Sequence, residues 1–152
     1  SIHPKVLFLG DPESEGFLNA EEDYDDEKFH LLIKIAKATK IPLEEFGFIN
    51  CIAKGQETFA DSPRLAGLLK SLKSDYIVTL GAGAYQFMTG NRARLSSVHG
   101  KTEEILFLDK SSHQSRVKII PTFHPQYILI NPSIKKTVWS DFQKLIETFS
   151  AQ

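Results

Sequence analysis

Cysteine is nearly absent: Cys51 stands alone in 152 residues. That excludes an internal disulfide, a cysteine-bound zinc and a four-cysteine cluster, and it suits a reducing compartment, so a cytoplasmic protein is expected. Long apolar runs are missing as well. None approaches the roughly 20 residues that span a bilayer, and the start, Ser1-Ile2-His3-Pro4-Lys5, lacks a signal-peptide pattern. Membrane and secreted readings therefore fall away. Neither a phosphate-binding P-loop nor a Gly-x-Ser-x-Gly elbow occurs, which removes the commonest NTPase and hydrolase readings. The five histidines, at 3, 30, 99, 113 and 124, have neither His-x-x-x-His nor close carboxylate spacing, so no bound metal is expected. Internal repeats, low-complexity tracts and obvious linkers are also lacking. A chain of this length is expected to form one domain, since single cores usually hold about 100 to 200 residues. Ser rather than Met at position 1 makes an excised piece of a longer protein the expectation.

What is present is ordinary in amount and uneven in distribution. Hydrophobic residues make up 41% and charged residues 24%, which fits a compact globular chain rather than a disordered or fibrous one. Eighteen basic against nineteen acidic residues give a net charge of −1 that conceals an asymmetry. Residues 1 to 89 carry 9 Lys/Arg and 14 Asp/Glu, a balance of −5; residues 90 to 152 carry 9 and 5, a balance of +4. A polyanion should prefer the second half. The stretch 11 to 27 holds nine acidic residues and no basic one, so it would repel phosphates and is the expected contact for any protein partner.

Hydrophobic patterning alternates strands with helices. Val6-Leu7-Phe8-Leu9 is a short apolar run ending in Gly10-Asp11-Pro12, the pattern of a strand buried on both faces. Asp25 or Asp26 can cap a helix whose Phe29, Leu32, Ile33 and Ala36 recur at helical spacing, and Pro42 prevents it from running on. Phe46 to Ile52 is a second strand-like run. Ser62-Pro63 opens a helix burying Leu65, Leu68, Leu69 and Leu72, and Tyr76 to Leu80 is the third strand, turned by Gly81-Ala82-Gly83 into a short helix. Runs over 104–108 and 117–120 flank a polar stretch as a hairpin, and the second leads into Pro121-Thr122-Phe123-His124-Pro125. Gln126 to Ile130 reads as a loop. Asn131-Pro132 then starts a long helix with Val138, Phe142, Leu145 and Phe149 on one stripe. The expected fold is α/β, a three-layer α/β/α sandwich on a mostly parallel central sheet of about four strands. Ligands in such sheets bind beyond the carboxyl ends of the strands, which singles out Asp11 and Glu13, Asn50, Gly81 to Gly83, and His124.

Each of these residues has a bland explanation on its own. Gly81-Ala82-Gly83 lacks the third glycine of a dinucleotide turn, since Gln86 stands there, and reads as a tight strand-to-helix turn. Asn50 at a strand end and His124 before Pro125 can serve local backbone groups. Their order along the chain is more informative. The closing segment, Pro121-Thr122-Phe123-His124-Pro125-Gln126-Tyr127-Ile128-Leu129-Ile130-Asn131-Pro132 through Val138-Trp139-Ser140-Asp141-Phe142, resembles the "PTYHPAYLLRNP...VWEDL" segment of the uracil-DNA glycosylase superfamily, in its iron-sulfur bacterial and archaeal branch. Phe48-Ile49-Asn50 resembles that branch's "ITN", Val78 to Ala84 resembles "LLGATA", and Gly10-Asp11-Pro12-Glu13 stands where "GEAPG" would be.

The resemblance implies a repair enzyme that flips a base from DNA and hydrolyses its N-glycosidic bond, with single- or double-stranded DNA as partner and no cofactor. It places base reading on Asn50, base stacking on Phe17 (with Tyr24 and Phe29 as alternatives) and the donor to uracil O2 on His124. Asp11, or Glu13, would be the carboxylate near the sugar, and Gly10 and Pro12 would complete the pocket turn. Arg92, Arg94, Lys135 and Lys136 are the expected phosphate contacts, with Leu129 as an apolar wedge at the vacated base. The chain departs from the pattern in several places. Lys54 replaces a cluster cysteine, Ile130 replaces the arginine of "LLRN", and His99-Gly100 replaces an Arg-Gly pair. A catalytically silent member of the fold, acting as an interaction module in replication or repair, is the alternative; a doubly wound nucleotide-binding domain is a third reading.

Overall fold

The computed structural model describes residues 3–10, 27–50, 59, 63–108 and 111–150, with backbone alone at 27–29, 50, 63–65, 68 and 72. Among them the sheet has five strands, in the order β2-β1-β3-β5-β4: β1 (Val6–Gly10), β2 (Phe46–Asn50), β3 (Tyr76–Leu80), β4 (Glu103–Leu108) and β5 (Gln114–Thr122). The first four in spatial order run parallel, and β4 joins β5 antiparallel as the expected hairpin. β1 and β3 are buried at all five positions, which is why both are continuous apolar runs rather than alternating ones. β4 lies at the sheet edge and alternates instead, leaving Leu106 and Leu108 more than half exposed.

Helices cover both faces. Val6, Phe8, Tyr76, Val78, Leu80 and Ile120 meet α1 (Glu27–Ala38), α5 (Pro125–Ile130) and α6 (Lys135–Ser150) through Leu32, Ala36, Ile128, Val138, Phe142 and Leu145. On the opposite face Leu7, Leu9, Ile77 and Ile119 pack with α2 (Pro63–Leu72) and α3 (Ala82–Thr89), through Ala66, Leu69, Ala84, Tyr85, Phe87 and Met88. The three-layer α/β/α arrangement is thus present, with one strand more than expected. α4 (Leu95–Val98) is a single turn packed against β5. Phe8 is the aromatic centre of the first layer: its ring stacks on Phe46 and Phe48 at 5.3 Å each and tilts against Phe142 at 6.0 Å.

Two expectations at the end of the chain need correction. Residues 126–130 form α5 rather than a loop, because the His124 side chain caps it and Pro125 occupies its first position, where a missing N–H costs nothing. The final helix begins at Lys135, not at Asn131-Pro132. Pro132–Ile134 form a tighter 3-10 turn, in which Asn131 receives the Ile134 N–H on its carbonyl and the Ser133 hydroxyl on its side chain. Where α1, α5 and α6 meet, the surface opens into a cleft of about 240 Å³, lined by Ile35, Ile128 and Val138 with Lys34, Lys135 and the half-exposed Trp139. Among the described residues, no helix is long and apolar enough to cross a membrane.

Phe8→Ala is expected to lower the unfolding free energy by about 3–5 kcal/mol, the range for a large ring removed from a packed core. Urea denaturation checks this; a loss below about 1 kcal/mol would show that the aromatic cluster is not what holds the first layer together.

Candidate functional site at the carboxyl edge of the sheet

Parallel pairing brings four strand ends to one edge. Gly10, the last residue of β1, pairs in register with Asn50, the last of β2; Leu80 of β3 pairs with Thr122 of β5. The chain passes from β1 to β2 on one side and then to β3 on the other, so the edge beyond β1 and β3 is the switch point where α/β sheets open a crevice. Asn50 ends β2 on one side of that switch point, and His124 follows β5 on the other. Gly81, just past β3, has φ +100, and its N–H donates to the Thr122 carbonyl at 2.9 Å, tying the turn after β3 to the end of β5.

His124 is 7% exposed and is built into the start of α5. Its Nδ1 accepts the Gln126 N–H at 3.0 Å, and its carbonyl accepts from Tyr127 N–H at 2.9 Å. Because Nδ1 is the acceptor, the proton of the neutral ring resides on Nε2, which makes that atom a donor. A ring protonated on both nitrogens would lose the cap. Of Asn50 the structure describes the backbone, which sets it beside Gly10. Asp11, Pro12 and Phe17, with most of the acidic stretch, lie outside the described residues. So do the alternatives Glu13 and Tyr24 and the Asp25 or Asp26 cap, while Phe29 is placed on α1 by its backbone.

The expected phosphate contacts are surface groups on two separate segments. Arg92 and Arg94 are exposed in the stretch leading to α4, and Lys135 and Lys136 are exposed at the start of α6. Leu129 is 38% exposed on α5, while Ile130, at the position of the family's arginine, is 71% exposed.

Four residues that sequence reasoning left out of the site, Asp141, Thr122, His99 and Gly100, form a connected group at the exit of β5. Asp141, on α6, is 2% exposed and has a partner at each carboxylate oxygen: Thr122 Oγ1 donates to Oδ2 at 2.6 Å, and His99 Nδ1 lies 2.8 Å from Oδ1. Gly100 follows His99 at φ +75 and donates its N–H to the Pro121 carbonyl at 2.7 Å; a Cβ there would come within 2.5 Å of Asp141 Oδ1. The His99 ring meets Phe123 at 5.3 Å, and Phe123 stacks on Tyr127 at 5.6 Å. Burial pushes the Asp141 carboxyl above its ordinary 3.8, opposed by the hydrogen bonds from Thr122 and His99. A signal for it was available: Asp141 falls on the apolar stripe of α6, between Val138 and Phe142, where a charge has no solvent to face. A four-thiolate iron-sulfur cluster does not fit this chain, since Cys51 is its one cysteine.

Comparison with known proteins identifies the family. A family model described as the uracil DNA glycosylase superfamily matches residues 1–143. The chain is 31% identical over 100 residues to a type-4 uracil-DNA glycosylase of Saccharolobus solfataricus, a stretch covering 63% of this chain and 44% of that protein. It is 30% identical over 95 residues to a type-4 uracil-DNA glycosylase of Sulfurisphaera tokodaii, covering 60% and 41%. The match thus spans less than half the length of either relative.

Gly100→Ala is expected to cost about 1–3 kcal/mol, because it places a side chain in left-handed backbone and against a buried carboxylate; thermal melting that leaves the midpoint unchanged would contradict this contact. A pH dependence arises from Asp141. With its folded value raised, the native state binds more protons than the unfolded chain just above pH 3.8. Its contribution to stability is therefore present below that pH and lost as pH rises through the folded value. In paired urea titrations, wild type should lose stability relative to Asp141→Asn as pH rises from 3.8; a change in the opposite sense would overturn the assignment.

Proposed function

The chain belongs to the uracil-DNA glycosylase superfamily, and from that premise we propose that it removes uracil or a related damaged base from DNA by hydrolysing the N-glycosidic bond. The observation that carries the reading is the His124 side chain, whose ring follows β5 beyond the carboxyl edge of the sheet with Nδ1 accepting the Gln126 N–H, which leaves Nε2 as the donor of a neutral ring.

The chemistry is dictated by where charge develops. Breaking the glycosidic bond leaves negative charge on uracil O2, and a fixed donor there stabilises the transition state more than the ground state. His124 Nε2–H supplies that donor without a proton having to leave the ring. Across the crevice, the Asn50 amide offers one acceptor and one donor to uracil N3–H and O4, whereas cytosine presents the opposite pattern. Asp11, with Glu13 as substitute, orients water and stabilises the cationic sugar. Gly10 and Pro12 shape the turn under the base, and Phe17 stacks on it.

DNA is the partner in this reading. Arg92, Arg94, Lys135 and Lys136 contact phosphates, and the exposure of Leu129 and Ile130 on α5 favours an apolar wedge over core packing. A second reading, a silent member of the fold that binds protein through its acidic stretch, is favoured by nine like charges over residues 11 to 27.

The two are separated by incubating the protein with single- and double-stranded DNA carrying one uracil, then cleaving with alkali. Strand cleavage is expected, with His124→Ala reducing kcat by about 10²- to 10³-fold, as for loss of one oxyanion donor. No cleavage at high enzyme excess selects the silent module. Free-uracil binding should disappear in both Asn50→Asp and His124→Ala, and retention in both would reject the site.

A further inference from the structure

Asp141 is a charged group where α6 should present an apolar one. Val78, Ile120, Phe142 and Leu145 border the same small interior gap as Asp141 and Thr122, and that gap is too small to admit water. A buried carboxylate held this way is costly, and replacing such polar groups by apolar ones of similar volume is often neutral or stabilising. Fold stability therefore gives no reason for an aspartate here. Its partners suggest another. Thr122 ends β5 two residues before His124, and its carbonyl also receives Gly81 N–H. His99 presses on Phe123, the residue between them, and Phe123 stacks on Tyr127 within α5. Gly100, confined by the same carboxylate, donates to Pro121. One carboxylate thus fixes the chain immediately before His124 from its hydroxyl side and its aromatic side at once.

We propose that Asp141 is a positioning residue for His124, clamping the exit of β5 through Thr122 and His99 so that the His124 ring keeps its single tautomer and its place at the start of α5. The kinetic consequence rests on the glycosylase reading; the ring geometry does not. Asp141→Asn preserves the clamp in outline, because the amide oxygen still accepts the Thr122 hydroxyl while the amide nitrogen donates to His99 Nδ1 in its other tautomer. Thr122→Val removes one arm at constant shape. Asp141→Leu removes both.

The test uses protein labelled with ¹⁵N-histidine, whose ring spectra report which nitrogen carries the proton, with His124 assigned by comparison with His124→Ala. Asp141→Asn should shift the His99 ring signals, leave those of His124 in place and keep kcat for uracil excision within about threefold. Thr122→Val should move the His124 signals toward a tautomer mixture and lower kcat about tenfold, with KM within about twofold. Asp141→Leu should reach about 100-fold in kcat, the scale of a displacement near 1 Å at a reacting group. If Asp141→Leu does not fold, Thr122→Val decides. His124 signals unchanged in the folded apolar variants would overturn the clamp, as would moved signals with kcat unaltered. Should wild type fail to excise uracil, the glycosylase reading falls by itself, and the ring spectra still decide the clamp.

Discussion

Parallel pairing of β1 with both β2 and β3 is the constraint on which the candidate site depends. Once β1 lies between those two strands, their carboxyl ends share one edge, and β5 adds its own end beyond β3. Residues 10 and 50, at strand ends, and 81 and 124, just past them, then lie along one edge of the sheet although the chain separates them by dozens of residues. Backbone hydrogen bonding sets this arrangement before any polar side chain contributes. The site can therefore be varied by changing the residues just past each strand end while the sheet beneath stays fixed.

The region beyond β5 is held by different means. After Thr122 the ladder ends, and order is maintained by a capped short helix, a proline, a ring-on-ring contact and the Asp141 carboxylate. Such contacts are directional and few, so small changes there alter geometry more than they alter global stability. This contrasts with the Phe8 cluster, where loss of contact area translates directly into loss of folding free energy.

The legible parts of the sequence are those with a strong period or a strong punctuator. β1 and β3 stand out as continuous apolar runs, α1 through Leu32, Ile33 and Ala36, and the hairpin through two apolar runs around a polar stretch. α5 is hidden because six residues hold less than two turns, too few to show a period; its existence depends on the His124 ring bonding the Gln126 N–H, which no composition rule reveals. The last helix is overextended in a sequence reading because Asn131-Pro132 has the form of a helix start but tightens into a 3-10 turn. Among the candidate site residues, Gly10 and Asn50 are marked by their place at strand ends and His124 by its place just past β5. In sequence, His99 reads as a lost arginine and Asp141 as one more member of a resembling segment. What joins them is a contact between residues 42 positions apart.

The cleft between the first and last helices has a spectroscopic use. Trp139 is the sole indole in the chain, and it lines that cleft half-exposed beside Lys34 and Lys135. Intrinsic fluorescence thus reports on one joint, where α1 meets α6, rather than on the molecule as an average. Quenching by a small anion would sample the two lysines together with the ring, and parting of the helices would register as a red shift while the sheet beneath was still paired.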